Sequence, residues 1–185
     1  MYLQKLISYI TLVSLLSVMT GCFAQRGYPK APKEHGLEKS MRTVTYRVSG
    51  ATLGNGMKVV RRKLAVDSPF DNVHFSTSLE KEGTFIEFRV ENVDPSVPSA
   101  IFFWISIFTL TILPAWSTED GYDVHITVYE NGVKKRSFYY ESRRSTFIWL
   151  FALPLLPVNL IIPGEHKAFT SIINQFFIDF QKADL

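Results

Sequence analysis

Two long apolar blocks constrain this chain more than any other feature, because an uncharged run of this length must enter either a protein core or a membrane. The first block covers residues 100–113 and is closed by Pro114. The second covers residues 146–162 and is closed by Pro163. Neither contains Asp, Glu, Lys or Arg. Between them we predict a polar hairpin, since two alternating stretches flank Asn131-Gly132, a pair that strongly favours a tight turn.

Three interpretations of the blocks remain open. In the first they are two membrane-spanning helices, although a span needs ~20 residues and both blocks are shorter. In the second they dip into one leaflet, with indole rings at the membrane interface, where tryptophan is favoured. The candidate membrane contacts are then Trp104, Trp116 and Trp149. In the third they are the buried core of a water-soluble fold, with a strand permitted by the alternation of Phe108, Leu110 and Ile112.

Outside the blocks, alternation of apolar and polar residues predicts several strands. The clearest patterns cover residues 43–49 and 84–93, and the two arms of the hairpin add two more. Residues 57–66 are predicted as a further strand, interrupted by Arg61-Arg62-Lys63. We interpret these three cations as a solvated strand edge, with binding of phosphate or acidic lipid as the functional alternative.

The C-terminal segment has helical rather than strand periodicity. Its apolar residues fall at i, i+3, i+4, i+7, i+8 and i+11, and they are Phe169, Ile172, Ile173, Phe176, Phe177 and Phe180. Such a helix gives the apolar face of a sheet its second layer. The predicted fold class is therefore α+β, with an antiparallel sheet of about five strands, a C-terminal amphipathic helix and two apolar segments that are candidates for membrane embedding.

The N-terminus has the organisation of a secretory signal peptide. Lys5 precedes an apolar run over residues 6–19, and small residues then lead to Cys22, the only cysteine in the chain. In an exported protein a single thiol has no disulfide partner, and acylation would explain its presence. The position of Gly21-Cys22 directly after the apolar run resembles the lipobox of bacterial lipoproteins.

This resemblance implies that the peptide is cut before Cys22 and that the thiol carries diacylglycerol, with palmitate among the acyl chains. It also implies the outer membrane, facing the periplasm, because Phe23 is not the aspartate associated with inner-membrane retention. The cell membrane is the alternative location. The predicted organisation is a signal peptide over residues 1–21, a lipid anchor and flexible tether over 22–42, and a single domain over 43–185.

Motifs for catalysis and cofactor binding are not evident in the sequence. The four histidines are isolated, and they are His35, His74, His125 and His166. No zinc signature, glycine-rich phosphate cradle or Gly-x-Ser-x-Gly elbow occurs. His125 beside Asp123 is a weak acid–base candidate. We therefore predict no enzymatic activity, no cofactor and no metal, and the net charge of +3 does not favour a nucleic-acid partner.

The sequence favours a lipid-anchored, non-catalytic envelope protein that docks on the membrane and binds a protein partner or assembly. The exposed hairpin and the sheet edge are the expected contact surface. Two alternatives stay open. One is an accessory subunit with two membrane-spanning segments in a transport or secretion complex, and the other is a carrier of a lipid or another apolar ligand.

Overall fold

The computed structural model describes residues 4, 22–30, 39–50, 55–78, 80, 82–109, 111–149 and 164–183. In chain order the elements are β1 (Cys22–Arg26), β2 (Ser40–Gly50), α1 (Asn55–Val66), β3 (Phe70–Phe75), β4 (Thr84–Val93), α2 (Val97–Phe108), β5 (Ala115–Ser117), β6 (Gly121–Glu130), β7 (Val133–Ile148) and α3 (Glu165–Lys182). The predicted α+β class is confirmed. The predicted signal peptide lies outside the described residues, apart from Gln4.

The chain divides into two compact units. Unit 1 comprises residues 1–26, 93–121 and 143–164, and unit 2 comprises residues 27–92, 122–142 and 165–185. Strand β7 contributes its first part to unit 2 and its last part to unit 1. The sequence suggested one domain over residues 43–185, and that organisation stays a prediction.

The sheet of unit 2 is mixed, which corrects the prediction of an antiparallel sheet. Its strand order is β7-β6-β4-β2-β3. Strand β2 is parallel to both of its neighbours, β3 and β4. Strands β6 and β7 form the predicted hairpin, in which Asn131 and Gly132 adopt φ values of 50° and 76°. Parallel neighbours require a crossover connection rather than a hairpin, and α1 supplies the crossover between β2 and β3.

The prediction of a strand over residues 57–66 was wrong, because this segment is helix α1. Its buried residues are Gly56, Val59, Val60 and Leu64, a spacing of i, i+3, i+4 and i+8 that belongs to a helix. Arg61 and Arg62 are exposed on the opposite face. The basic triplet therefore lies on a helix and not on a strand edge.

Helix α3 confirms the predicted C-terminal helix. All six residues of the predicted apolar stripe are at most 2% exposed. Phe176 packs edge-on against Phe88 of β4 and Phe138 of β7, with ring centroids 5.6 and 5.5 Å apart. Phe70 of β3 contacts both Phe177 and Phe180. The core of unit 2 therefore lies between the sheet and the helices α1 and α3.

In unit 1, the last part of β7 is flanked by β1 and β5, and both pairings are antiparallel. Strand β1 corrects the prediction of a tether that starts at Cys22, since residues 22–26 pair with residues 143–147 of β7. Residues 31–38 of the predicted tether lie outside the described residues. So do residues 150–162 of the second apolar block, whose first residues end β7.

Candidate functional site

Helix α2, formed by most of the first apolar block, has its apolar side chains on the outside. Ser106 is its buried residue. In contrast, Ile101, Trp104 and Phe108 are 54, 58 and 82% exposed. The interpretation of this block as buried core is therefore wrong for these residues, and no strand forms at Phe108. No helix among the described residues is long and apolar enough to cross a membrane.

Local sequence explains where α2 begins and ends. Pro98 occupies the first turn, where the missing backbone N–H costs no helical hydrogen bond. At the C-terminal end, the Thr109 hydroxyl donates to the carbonyl oxygens of Ile105 and Ser106, both at 3.0 Å. The Ser106 hydroxyl donates to the carbonyl oxygen of Leu113 at 2.7 Å. The contact of Ser106 holds the backbone of Leu113 against the helix, and those of Thr109 cap its last turn.

The inner face of α2 packs on β5 and the end of β7. Ser99 and Phe103 of the helix line a cleft with Trp116 and Thr146, and the cleft encloses about 20 Å³. That volume is room for about one water molecule. This cleft is therefore too small for a lipid or another apolar ligand of similar size.

The outer face of α2 continues into an exposed apolar surface. We define this apolar surface by the exposed large side chains between residues 97 and 116, namely Val97, Ile101, Phe102, Phe103, Trp104, Ile105, Phe108, Ile112, Leu113 and Trp116. Phe102 stacks on Trp116, with ring centroids 5.8 Å apart and an interplanar angle of 14°. No charged residue occurs between Val97 and Thr118. A group of exposed apolar side chains of this kind usually marks a site of membrane or protein contact.

The predicted membrane contacts and the predicted lipidation site all lie in unit 1. These residues are Trp104, Trp116, Trp149 and Cys22. Trp104 and Trp116 are exposed, and both belong to the apolar surface. Trp149 is half-buried, and its indole N–H donates to the carbonyl oxygen of Ile112 at 3.0 Å. Cys22 is the first residue of β1.

The backbone of Cys22 lies close to the apolar surface. Cys22 pairs with Phe147, and Phe147 pairs on its other side with Trp116. Adjacent strands are ~4.8 Å apart, so the backbones of Cys22 and Trp116 are separated by roughly 10 Å.

An ion pair between a buried carboxylate and a partly exposed arginine, which sequence reasoning missed, holds this part of unit 1 together. Asp120 is 4% exposed and accepts hydrogen bonds from Nε of Arg144 at 2.6 Å and from the Ser117 hydroxyl at 3.0 Å. The backbone N–H of Arg144 donates to the carbonyl oxygen of Asp120. Arg26 donates to the carbonyl oxygen of Thr118. No local sequence signal connects these residues, because the contacts are made across three separate segments.

In unit 2, the contacts of Tyr140 and His125 serve packing between elements of the fold. Burial, followed by the hydrogen bond to Asp179 and the charge of that carboxylate, raises the pKa of Tyr140. Its hydroxyl donates to Asp179 at 2.8 Å and ties β7 to α3. His125, the weak acid–base candidate, lies against Tyr139, with ring centroids 5.1 Å apart and an interplanar angle of 44°. Within the part of the chain that the structure describes, no group of three His, Cys, Asp or Glu residues is arranged to hold a metal ion.

Comparison with known proteins finds no matching family model and no matching curated protein. Among solved structures, the fold is similar to two PelC dodecamers from Paraburkholderia phytofirmans, one of them a point variant. Each is 8% identical, and the alignment covers 83% of this chain and 95% of that one. The TM-scores are 0.32 and 0.33, which is too distant a likeness to support a statement about function.

Proposed function

We propose that this protein is a lipid-anchored, non-catalytic component of the bacterial cell envelope that docks on the membrane through α2 and binds a protein partner or assembly. The observation that carries the proposal is the outward orientation of the apolar side chains of α2. A water-facing helix normally presents polar residues to solvent. This helix presents aromatic and branched aliphatic residues instead.

The composition of the apolar surface suits the membrane interface. Indole rings favour the boundary between head groups and acyl chains, and Trp104 and Trp116 both lie on this surface. A helix of 12 residues is ~18 Å long, so α2 can lie in the plane of the interface with its outer face among the acyl chains. The apolar side chains then leave water without a change in the fold of unit 1.

Acylation of Cys22 and docking of α2 would reinforce each other. Acyl chains attach a protein to the membrane, and an apolar surface that enters the same leaflet adds its own binding energy. The roughly 10 Å separation between the backbones of Cys22 and Trp116 allows the acyl chains and the apolar surface to enter the same leaflet. The lipid would supply attachment, and α2 would supply a fixed orientation.

The partner surface that we propose is in unit 2. Strand β3 is at the end of its strand order, so its outer edge is a candidate for pairing with an extended segment of a partner. The hairpin of β6 and β7 adds the exposed side chains of Val133 and Tyr139. These features support partner binding.

Vesicle flotation tests the docking proposal. The protein is exported with a cleavable signal that lacks a lipobox, so that it begins at Phe23 and carries no acyl chains. We expect it to float with phosphatidylcholine vesicles. We expect Trp104→Ala combined with Phe108→Ala to weaken binding by roughly 30-fold, because the lost apolar contact is worth about 2 kcal/mol.

A matched control removes two side chains of similar exposure from unit 2, through Val133→Ala combined with Tyr139→Ala. This control is expected to float like the unchanged protein. A folded protein that stays at the bottom of the gradient would contradict docking. If it stays there as a discrete oligomer that the α2 variant dissociates, the apolar surface is a protein interface instead.

A further inference from the structure

Helix α1 in unit 2 carries an unbalanced positive charge. It contains Lys58, Arg61, Arg62 and Lys63 and no acidic residue. Lys63 forms an ion pair with Asp67, with Nζ 3.1 Å from Oδ2. Among the described residues, no carboxylate forms an ion pair with Lys58, Arg61 or Arg62. Three cations on one exposed face therefore have no internal compensation in that part of the chain.

The positions of these cations oppose helix stability. Lys58 is followed by Arg61 and Arg62 at i+3 and i+4, where side chains on a helix are neighbours and like charges repel. Lys58 is also in the first turn, near the positive end of the helix dipole. These cations lower the stability of the isolated helix. Binding of an acidic ligand would offset that cost, whereas solubility does not require the cations to be neighbours.

Exposed apolar side chains border this basic stripe. The guanidinium carbon of Arg61 lies 4.7 Å from the centre of the Phe75 ring, and Phe75 in turn packs edge-on against Tyr46 at 5.5 Å. Phe75 is 48% exposed, and Val66 at the end of the helix is 72% exposed. The contact with Phe75 restrains Arg61, while the exposed part of the ring remains accessible beside the charge.

We propose that the exposed face of α1 binds the acidic head groups of anionic phospholipids. This inference rests on the proposed function, which would hold the protein at a membrane surface. Cations interspersed with exposed apolar side chains are typical of sites that bind acidic bilayers. Each cation near such a surface increases binding by about fivefold, so three of them increase it by roughly 100-fold.

The test compares vesicles of phosphatidylcholine alone with vesicles of phosphatidylcholine and phosphatidylglycerol, again with the protein that begins at Phe23. We expect the acidic lipid to increase binding by roughly 100-fold at low salt and much less at high salt. Replacement of Lys58, Arg61 and Arg62 by Gln should abolish this increase. Binding of that variant to phosphatidylcholine alone should match that of the unchanged protein.

A control variant removes the same number of charges elsewhere in unit 2, through Lys134→Gln, Lys135→Gln and Arg136→Gln. It is well matched, since Arg136 also lies over a ring, that of Phe138, at 5.7 Å. The control should retain most of the increase. An equal loss in both variants would show that net charge alone is responsible and would overturn the proposal, as would the absence of any increase with the unchanged protein.

The two proposals fail in different ways. The Trp104 and Phe108 variant should lose binding to phosphatidylcholine and still respond to the acidic lipid. If docking through α2 fails, binding to the neutral vesicles is absent from the start. If the inference about α1 fails, neutral vesicles are bound but the Gln variant responds to the acidic lipid like the unchanged protein.

Discussion

At the scale of single residues, Gly56 shows how tightly α1 and α3 are packed in unit 2. A Cβ atom at this position would lie 2.7 Å from Cε2 of Phe169, a side chain that is itself buried in the core. The backbone N–H of Gly56 donates to Oε1 of Glu165 at 3.1 Å. The start of one helix is therefore fixed against the start of the other.

We predict that Gly56→Ala lowers the free energy of unfolding by about 1–3 kcal/mol, because an overpacked core must shift around the added methyl group. Helix propensity alone would favour alanine by about 1 kcal/mol, so a net loss identifies the close contact as the dominant effect. The measurement is the midpoint of urea unfolding. Gly164→Ala is the control with little expected effect, since no atom lies within 4 Å of its added Cβ. A higher midpoint for Gly56→Ala would refute the packing argument.

At the scale of elements, Asp120 connects the end of β5 to β7. Its carboxylate receives hydrogen bonds from Arg144 and Ser117 while being almost fully buried. We predict that Asp120→Asn lowers the free energy of unfolding of unit 1 by about 1–3 kcal/mol. The cost stays below that of a fully buried ion pair, because the Arg144 side chain is 39% exposed and can recover water contacts.

Tryptophan fluorescence suits this measurement, since Trp104, Trp116 and Trp149 are the only tryptophans and all lie in unit 1. Glu119→Gln removes the neighbouring carboxylate, which also lies in unit 1 and is exposed. Exposed charges contribute little, so this control should change stability by less than ~1 kcal/mol. Equal effects of the two substitutions would show that burial of Asp120 does not matter.

Elements with a one-sided apolar pattern were predictable from sequence, and elements defined by distant partners were not. Strand β4 and helix α3 each carry a complete local pattern, of period two and of helical period respectively. Helix α1 was wrongly predicted as a strand because its basic triplet interrupts a short run that contains three valines. Its period becomes clear only when Gly56 is counted as a packed position. Strand β1 has no such pattern, and its pairing partner is at the far end of β7.

The composition of the apolar surface was predictable from sequence, but its exposure was not. The first uncharged run, with Trp104 inside it and Trp116 just after it, led to the prediction that both are candidate membrane contacts, and both side chains are exposed. The sequence left core, span and surface open for this run, since apolar composition alone does not determine which side of a helix faces protein. Hydroxyl hydrogen bonds of Ser106 and Thr109 help to determine which side of α2 faces the rest of unit 1. Such contacts depend on the turn that follows the helix.

At the scale of the whole molecule, both units carry features that we assign to the membrane. Unit 1 contains β1, the apolar surface and the Asp120–Arg144 ion pair. Unit 2 contains the aromatic core around α3 and the basic stripe of α1. Attachment of the molecule would then depend on residue 22, and orientation would depend on α2.

This dependence yields a prediction about Cys22 in the intact cell. With the natural N-terminus, the protein should incorporate a palmitate analogue, and Cys22→Ala should abolish incorporation, because the chain has no other thiol. The Trp104→Ala and Phe108→Ala variant is the matched control and should be labelled normally, since acylation in lipoproteins is directed by the lipobox. Labelling that persists in Cys22→Ala would disprove acylation at this residue. The protein that begins at Phe23 lacks both the acyl chains and the signal peptide, so it should retain only the membrane binding that α2 and α1 provide, and salt should release the part that depends on α1.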